Sequence, residues 1–365
     1  MVTVTFAEKL ARMPGYRAGV PAGHTPEQVA GGDVAQLASN ESPFPPHSDV
    51  VEAIRRAAES TNRYPDPGAT LLRRRIAERH ETEPGRVAIG NGSCELLLAA
   101  AEALCEPGAE IVYAWPSFSM YPYLAAISGA REVRVPLAEG DVHDLEAMRA
   151  EVTAATQLLI VCNPNNPTGT HLPAARIAEL CAALPAHVTV ILDEAYVEFQ
   201  VDDDPDATVD LLGEFPNLVL LRTFSKCHGL AGLRVGYALG SAGFRAAVDA
   251  VRQPFSVNSI AQAAAAEAVL HADDVERRVE QTIVERLFVE EGLRELGLKT
   301  AESQANFSWA ALGDADEAEV VTGLAERKVL VRPGESLGGP GHIRVSYGTR
   351  AENERFLVAL DELLG

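Results

Sequence analysis

The chain has 365 residues, 47% apolar and 23% charged, a globular composition that excludes a disordered tail, a collagen-like repeat and a small disulfide scaffold. Its 52 acidic and 31 basic residues give a formal charge of −21 with no basic footprint for nucleic acid, and no apolar run approaches the roughly 18 residues of a membrane span. Five scattered cysteines with no CxxC pair, and an N-terminus lacking a signal-peptide core, lead us to expect a cytoplasmic protein without disulfides or metal.

Residues 1–36 are rich in glycine and proline and weakly patterned, which predicts an arm with one short helix. Val50, Val51, Ile54, Ala57 and Ala58 recur at helical spacing, the turn-rich NRYPDPG follows at Asn62–Gly68, and a second helix spans Leu71–Arg79. Short apolar runs then predict strands at Val87–Ile89, Glu110–Tyr113, Glu132–Val135, Leu158–Val161, Val188–Leu192, Leu218–Leu221 and Val235–Leu239. Helical patterns lie between most of them, at Glu95–Leu104, Tyr121–Ala126, Asp144–Glu151 and Ala174–Leu184. Continuously apolar strands alternating with helices imply an α/β fold with a mostly parallel sheet covered on both faces.

After about Ser256 the texture changes to an alanine-rich helical stretch from Ala261 to about Leu296. Strand-like pieces follow at Phe307–Ala310, Val329–Val331 and Ile343–Tyr347, then an amphipathic helix at Asn353–Leu364. The expected organisation is an arm (1–38) contributing to the small domain and to a dimer, a large domain (39–255) and a smaller α+β domain (256–365). The acidic run Asp202–Asp206, interrupted by Pro205, reads as a solvated loop.

Candidate chemistry gathers where predicted strands end. LVLLRTFSKCH (Leu218–His228) runs a buried strand into Thr223, Ser225 and Lys226. Lysine is scarce here: only Lys9, Lys226, Lys299 and Lys328 stand among the 31 basic residues. A desolvated primary amine can form a Schiff base, which a guanidinium cannot. The plainer alternative is a lysine that snorkels from a strand end.

VTVILDEAYVEF (Val188–Phe199) places Asp193 at a strand's carboxyl end, where parallel sheets bind ligands, with Glu194 next to it as a candidate exposed loop acid. LLIVCNPNNPTGT (Leu158–Thr170) ends in Asn163, Asn165 and Asn166, aimed by Pro164 and Pro167. VAIGNGSCELLL (Val87–Leu98) is a strand, a small-residue turn and a helix start, suited to an anion but equally to a plain helix start. Glu95 stands where a GxGxxG loop needs its third glycine, which disfavours a nicotinamide-binding Rossmann enzyme.

Three strands ending in a lysine, an acid and an amide, beside an anion-binding helix start, resemble the fold-type I pyridoxal-phosphate aminotransferases, and within them histidinol-phosphate aminotransferase. The similarity runs through LASNESPFPP (Leu37–Pro46), NRYPDP (Asn62–Pro67), NPNNPTG (Asn163–Gly169), DEAYVEF (Asp193–Phe199), TFSK (Thr223–Lys226), GLAGLRVGY (Gly229–Tyr237) and IRVSYGT (Ile343–Thr349). It spans nearly the whole chain in the family's order.

The resemblance implies that Lys226 holds pyridoxal 5′-phosphate as a Schiff base and shuttles the proton, while Asp193 pairs with the pyridine nitrogen and keeps it protonated. It implies that Asn166 and Tyr196 bond the ring hydroxyl and Phe118 stacks on the ring. The phosphate would take Ser93, Cys94, Thr223, Ser225 and Arg234, with Tyr64 arriving from the partner of a homodimer. Cys94 stands where relatives often carry an acid, which matters little if the contact is through backbone N–H. Tyr16, Arg332 and Arg344 would bind substrate. The plainer alternative for Arg332 is a surface position before a glycine-rich loop.

The expected reaction is ping-pong transamination of histidinol phosphate, or its keto counterpart, with glutamate and 2-oxoglutarate. An aromatic amino-acid aminotransferase is the nearest rival and threonine-phosphate decarboxylase a third. A non-catalytic relative is disfavoured because Lys226, Asp193 and Asn166 are all present.

Overall fold

Apolar runs too short for helices, closed by Gly, Pro or Asn turns, become the strands of a central sheet. The computed structural model describes residues 6–15 and 34–365. After β1 (Ala35–Gln36) come β2 (Val87–Gly90), β3 (Glu110–Trp115), β4 (Arg131–Pro136), β5 (Thr156–Cys162), β6 (Thr189–Asp193), β7 (Leu218–Thr223) and β8 (Gly236–Leu239). Strands β2 to β8 form one sheet in the order β2-β8-β7-β6-β5-β3-β4. Only β8 runs against the others, antiparallel to both β2 and β7; the remaining neighbours are parallel.

That single reversal positions the site. The carboxyl ends of β2, β5, β6 and β7 share one edge of the sheet, and β8 begins at that same edge, just after Arg234. Alternating strand residues point to opposite faces. Leu159, Val161, Val190 and Leu220 pack into one apolar layer, and Leu158, Ile160, Ile191 and Leu221 into the other. Burial on both faces is why these strands read as unbroken apolar runs.

The helical stretch expected from Ala261 to Leu296 is two helices, Ser259–Ala268 and Ala272–Glu295. The first is capped by Asn258, whose side chain accepts from the N–H of Ala261 at 2.8 Å; such a cap contributes about 1 kcal/mol. Its small residues Ala261, Ala264, Ala265 and Ala268 join the core of the large sheet.

The smaller unit contains β9 (Lys299–Thr300), β10 (Phe307–Ala311), β11 (Val329–Leu330), β12 (Arg332–Pro333) and β13 (His342–Ser346). An antiparallel sheet runs β12-β13-β10-β9, while β11 pairs in parallel with β1. Its final helix, Arg350–Leu364, starts from a Thr349–Glu352 capping box and buries Phe356, Ala359 and Leu360. Among the described residues, no helix is long and apolar enough to cross a membrane.

The acidic run is not simply solvated. Asp206 reaches the buried Arg222 at 2.6 Å, and Asp203 accepts from the N–H of Ala174 at the start of the helix Ala174–Ala183. Glu194 is likewise no exposed loop acid. It is fully buried, accepts from Arg222 Nε at 2.8 Å and from Thr208 at 2.6 Å, and helps hold β7 against the turn after β6.

Candidate active site

A cavity of about 330 Å³ opens at the shared carboxyl edge of the sheet. Lys226, Asp193, Tyr196, Asn166, Phe118, Ser93, Cys94, Thr223, Ser225 and Arg234 all line it. Each arrives because a strand ends there: Asp193 closes β6, Thr223 closes β7 with Lys226 three residues on, and Asn166 follows β5.

Asp193 is almost fully buried. Its Oδ2 accepts from the hydroxyl of Tyr121 at 3.0 Å, while Oδ1 has no protein partner. Burial pushes its carboxyl up to about 6, with Glu194 adding to the rise; Tyr121, the N–H of Ala195 and Lys226 oppose it. A cationic donor placed at Oδ1 would answer both the unpaired oxygen and the raised pKa.

Lys226 Nζ donates to the carbonyl of Ser39 at 3.0 Å. Burial lowers its pKa to about 7, helped by the nearby guanidiniums of Arg344 and Arg234 and opposed by Glu41. A neutral amine is thus within reach at neutral pH.

The anion end is built from backbone. Gly92, at φ +77°, precedes the helix Ser93–Leu104 without supplying a side-chain cap, so the first N–H groups of that helix stay available. A Cβ at Gly92 would lie 2.5 Å from Arg234 Nη2, and one at Gly236 would lie 2.8 Å from the backbone nitrogen of Ser93. Thr223 and Ser225 are joined at 3.0 Å, and Arg234 donates to Ser225 at 3.3 Å. Two hydroxyls, a guanidinium and a helix N-terminus converge, which is the donor set a phosphate monoester requires. Cys94 occupies the first turn of that helix.

Asn166 donates to the hydroxyl of Tyr196 at 3.4 Å and accepts from Arg344 at 2.5 Å. Arg344 also donates to the carbonyl of Ala38 at 2.7 Å and lies over the ring of Phe307. It belongs to β13, so the smaller unit reaches the site through Asn166, while Arg344 itself does not line the cavity. Arg332 is buried rather than on the surface, and its Cα pairs with that of Arg344 across β12 and β13. Tyr64 does not line the cavity; it is 83% exposed and stacks on Phe255 at 4.7 Å between ring centroids. Tyr16 lies outside the described residues.

Sequence reasoning missed three contributors. Asn40, in the left-handed region at φ 53°, donates to Tyr196 at 3.0 Å and accepts from Ser346 at 3.0 Å. Glu41 lines the cavity, and Tyr121 holds Asp193. Asn40 and Glu41 lie in LASNESPFPP and Tyr121 starts the helical pattern Tyr121–Ala126, so the segments were visible although the contacts were not.

Residues 32–360 match the family described as aminotransferase class I and II. The chain is 43% identical to the aromatic amino acid aminotransferase of Thermobifida fusca, over 95% of this chain and 94% of that protein. It is 40% identical to the histidinol-phosphate aminotransferase of Akkermansia muciniphila, over 96% of each. The fold superimposes with a TM-score of 0.88 on the crystal structure of histidinol-phosphate aminotransferase from Sinorhizobium meliloti in complex with pyridoxal 5′-phosphate, at 30% identity, covering all of this chain and 98% of that one. With a buried carboxylate that has one unpartnered oxygen, a lysine of lowered pKa and a phosphate cradle all at one sheet edge, the chain belongs to the class I and II aminotransferases, enzymes that work with pyridoxal phosphate.

Proposed function

We propose that the chain moves the amino group of an aromatic amino acid to 2-oxoglutarate, with Lys226 as its central catalytic residue and the active unit a homodimer. The observation that carries the site assignment is the pairing of Asp193, whose Oδ1 lacks a partner, with a half-buried Lys226 of lowered pKa in one cavity. The choice of an aromatic amine, over the histidinol phosphate expected from sequence, rests on the curated aromatic aminotransferases that are 39–43% identical over 91–99% of the chain.

Pyridoxal phosphate supplies a ring that accepts the electrons left when the substrate's Cα loses its proton. Lys226 would hold it through Nζ, with Asp193 Oδ1 on the ring nitrogen, Asn166 and Tyr196 on the ring hydroxyl and Phe118 against its face. Ser93, Cys94, Thr223, Ser225 and Arg234 would take the phosphate, joined by the partner's Tyr64. Once the substrate's amine has taken its place, the released Lys226 Nζ, a neutral amine above about pH 7, would accept the proton from Cα and deliver it to the cofactor. Arg344 orients the carboxylate by replacing its bond to Asn166 with a bidentate one. In a chain of charge −21, Arg332 and Arg344 concentrate the positive charge that anionic substrates need.

Histidinol phosphate is the second reading, supported by the 40% identical relative and by the structural neighbour of that name. Purified protein incubated with phenylalanine and 2-oxoglutarate should yield glutamate and phenylpyruvate in equal amounts. No glutamate from any aromatic amine, with histidinol phosphate turned over, would hand the site to the second reading.

A further inference from the structure

A second cavity, of about 730 Å³, shares no lining residue with the first. The end of β7 and the segment after it run between them, showing Thr223, Ser225 and Lys226 to the first and Phe224 and His228 to the second. At its edge Glu198, Cys227 and His228 each offer one ligand atom, and these atoms all lie within 4.8 Å of one another. Glu198 comes from the turn Val197–Phe199 after β6, and the ring of His228 rests against Phe224 at 4.9 Å between centroids. Glu198 and His228 open onto the cavity, while Cys227 is 1% exposed beneath them.

The nearby guanidiniums are already engaged. Arg222 is bound by Glu194 and Asp206, and Arg278 by Asp274 and the carbonyl of Pro45. Asp204, Glu276 and Glu280 add further negative charge to the same cavity wall. Arg79 and Arg222 line the same wall, Arg79 paired with Asp206, but the five acids Glu198, Asp204, Asp206, Glu276 and Glu280 outnumber them, so the surroundings favour a cation.

We propose that Glu198, Cys227 and His228 bind a thiophilic divalent cation of the zinc class, with water from the cavity as fourth ligand. One sulfur, one imidazole nitrogen and one carboxylate oxygen form a donor set that zinc accepts, and three protein ligands with one open position is a known zinc arrangement. Bonds of about 2.0–2.3 Å place tetrahedral ligand atoms about 3.3–3.8 Å apart, so closure needs a shift of about an ångström. The Sγ–metal bond forms as the thiol proton leaves to solvent, and no electron changes hands. Occupancy would tie the residue after Lys226 to the turn that follows Tyr196.

Holoenzyme cleared of loose metal is titrated with Co²⁺. The expected result is one ion per chain, with tetrahedral d–d bands in the red, clear of the cofactor's absorption, and a thiolate charge-transfer band. Cys227→Ser and His228→Gln should each weaken uptake by at least about tenfold, with the cofactor spectrum confirming that each variant is folded. His47→Ala should leave uptake unchanged, since His47, Asp49 and His271 form a separate cluster. No uptake, bands unaltered in Cys227→Ser, or bands lost in His47→Ala would each overturn the assignment.

Discussion

The guanidinium of Arg344 donates to the amide oxygen of Asn166 at 2.5 Å, joining residues 178 positions apart. One sits on the smaller unit and the other on the loop after β5, so a substrate carboxylate bound by Arg344, as proposed, would also loosen Asn166. Removing a charge-assisted hydrogen bond costs about 1.5–3 kcal/mol, a factor of about 10–150. Arg344→Ala should raise KM for both the amine and 2-oxoglutarate by that order, because both halves of a ping-pong cycle use one pocket. Steady-state kinetics that show only one KM rising would place Arg344 outside the shared site.

Lys226→Arg keeps the charge and loses the amine. Turnover should fall to background, and borohydride treatment of the wild-type holoenzyme should fix the cofactor onto Lys226. Peptide mapping that found the adduct on Lys9, Lys299 or Lys328 would refute the assignment.

Asp193→Asn would keep a hydrogen bond and remove the charge proposed to hold the ring nitrogen protonated. Cofactor should still bind, while kcat falls by at least about a hundredfold, equivalent to about 2.7 kcal/mol. Near-normal turnover would show that Asp193 serves only the fold.

The pKa of Lys226, about 7 against 10.5 for a free lysine, sets a pH dependence. Below about pH 7 the amine is protonated and cannot attack a carbonyl. Cofactor capture by the apo chain should therefore speed up as pH rises through about 7 and level off above 8. Stopped-flow absorbance in which the rate keeps climbing to pH 10 would mean the lysine is not shifted.

Arg222 illustrates stability rather than chemistry. Arg222→Ala leaves Glu194 buried without its cation and Asp206 without one of its partners, a loss of about 3–5 kcal/mol. Urea denaturation should register it, and a change below about 1 kcal/mol would show that the network contributes little.

The central sheet was legible because strands buried on both faces leave unbroken apolar runs, and Asp193, Asn166 and Lys226 were legible because they stand where those runs stop. Long-range contacts left no such trace. Nothing in the spacing of Glu194 and Arg222 announces a buried pair, and Glu198 lies too far from Cys227 and His228 along the chain for a metal motif to show. Helical periodicity also passes through residues 269–271 without marking the break, because Val269 and Leu270 continue the apolar pattern while His271 leaves helical geometry at φ −110° and ψ 59°. Asp203 and Asp206 read as solvated since their partners come from distant segments.

The most direct measurement is kcat/KM for phenylalanine and for histidinol phosphate, each with 2-oxoglutarate, on wild type and on Arg332→Ala. An aromatic aminotransferase should favour phenylalanine in wild type, and Arg332→Ala should weaken histidinol phosphate more than phenylalanine. A wild-type preference for histidinol phosphate would contradict the aromatic assignment and establish the phosphate ester as substrate.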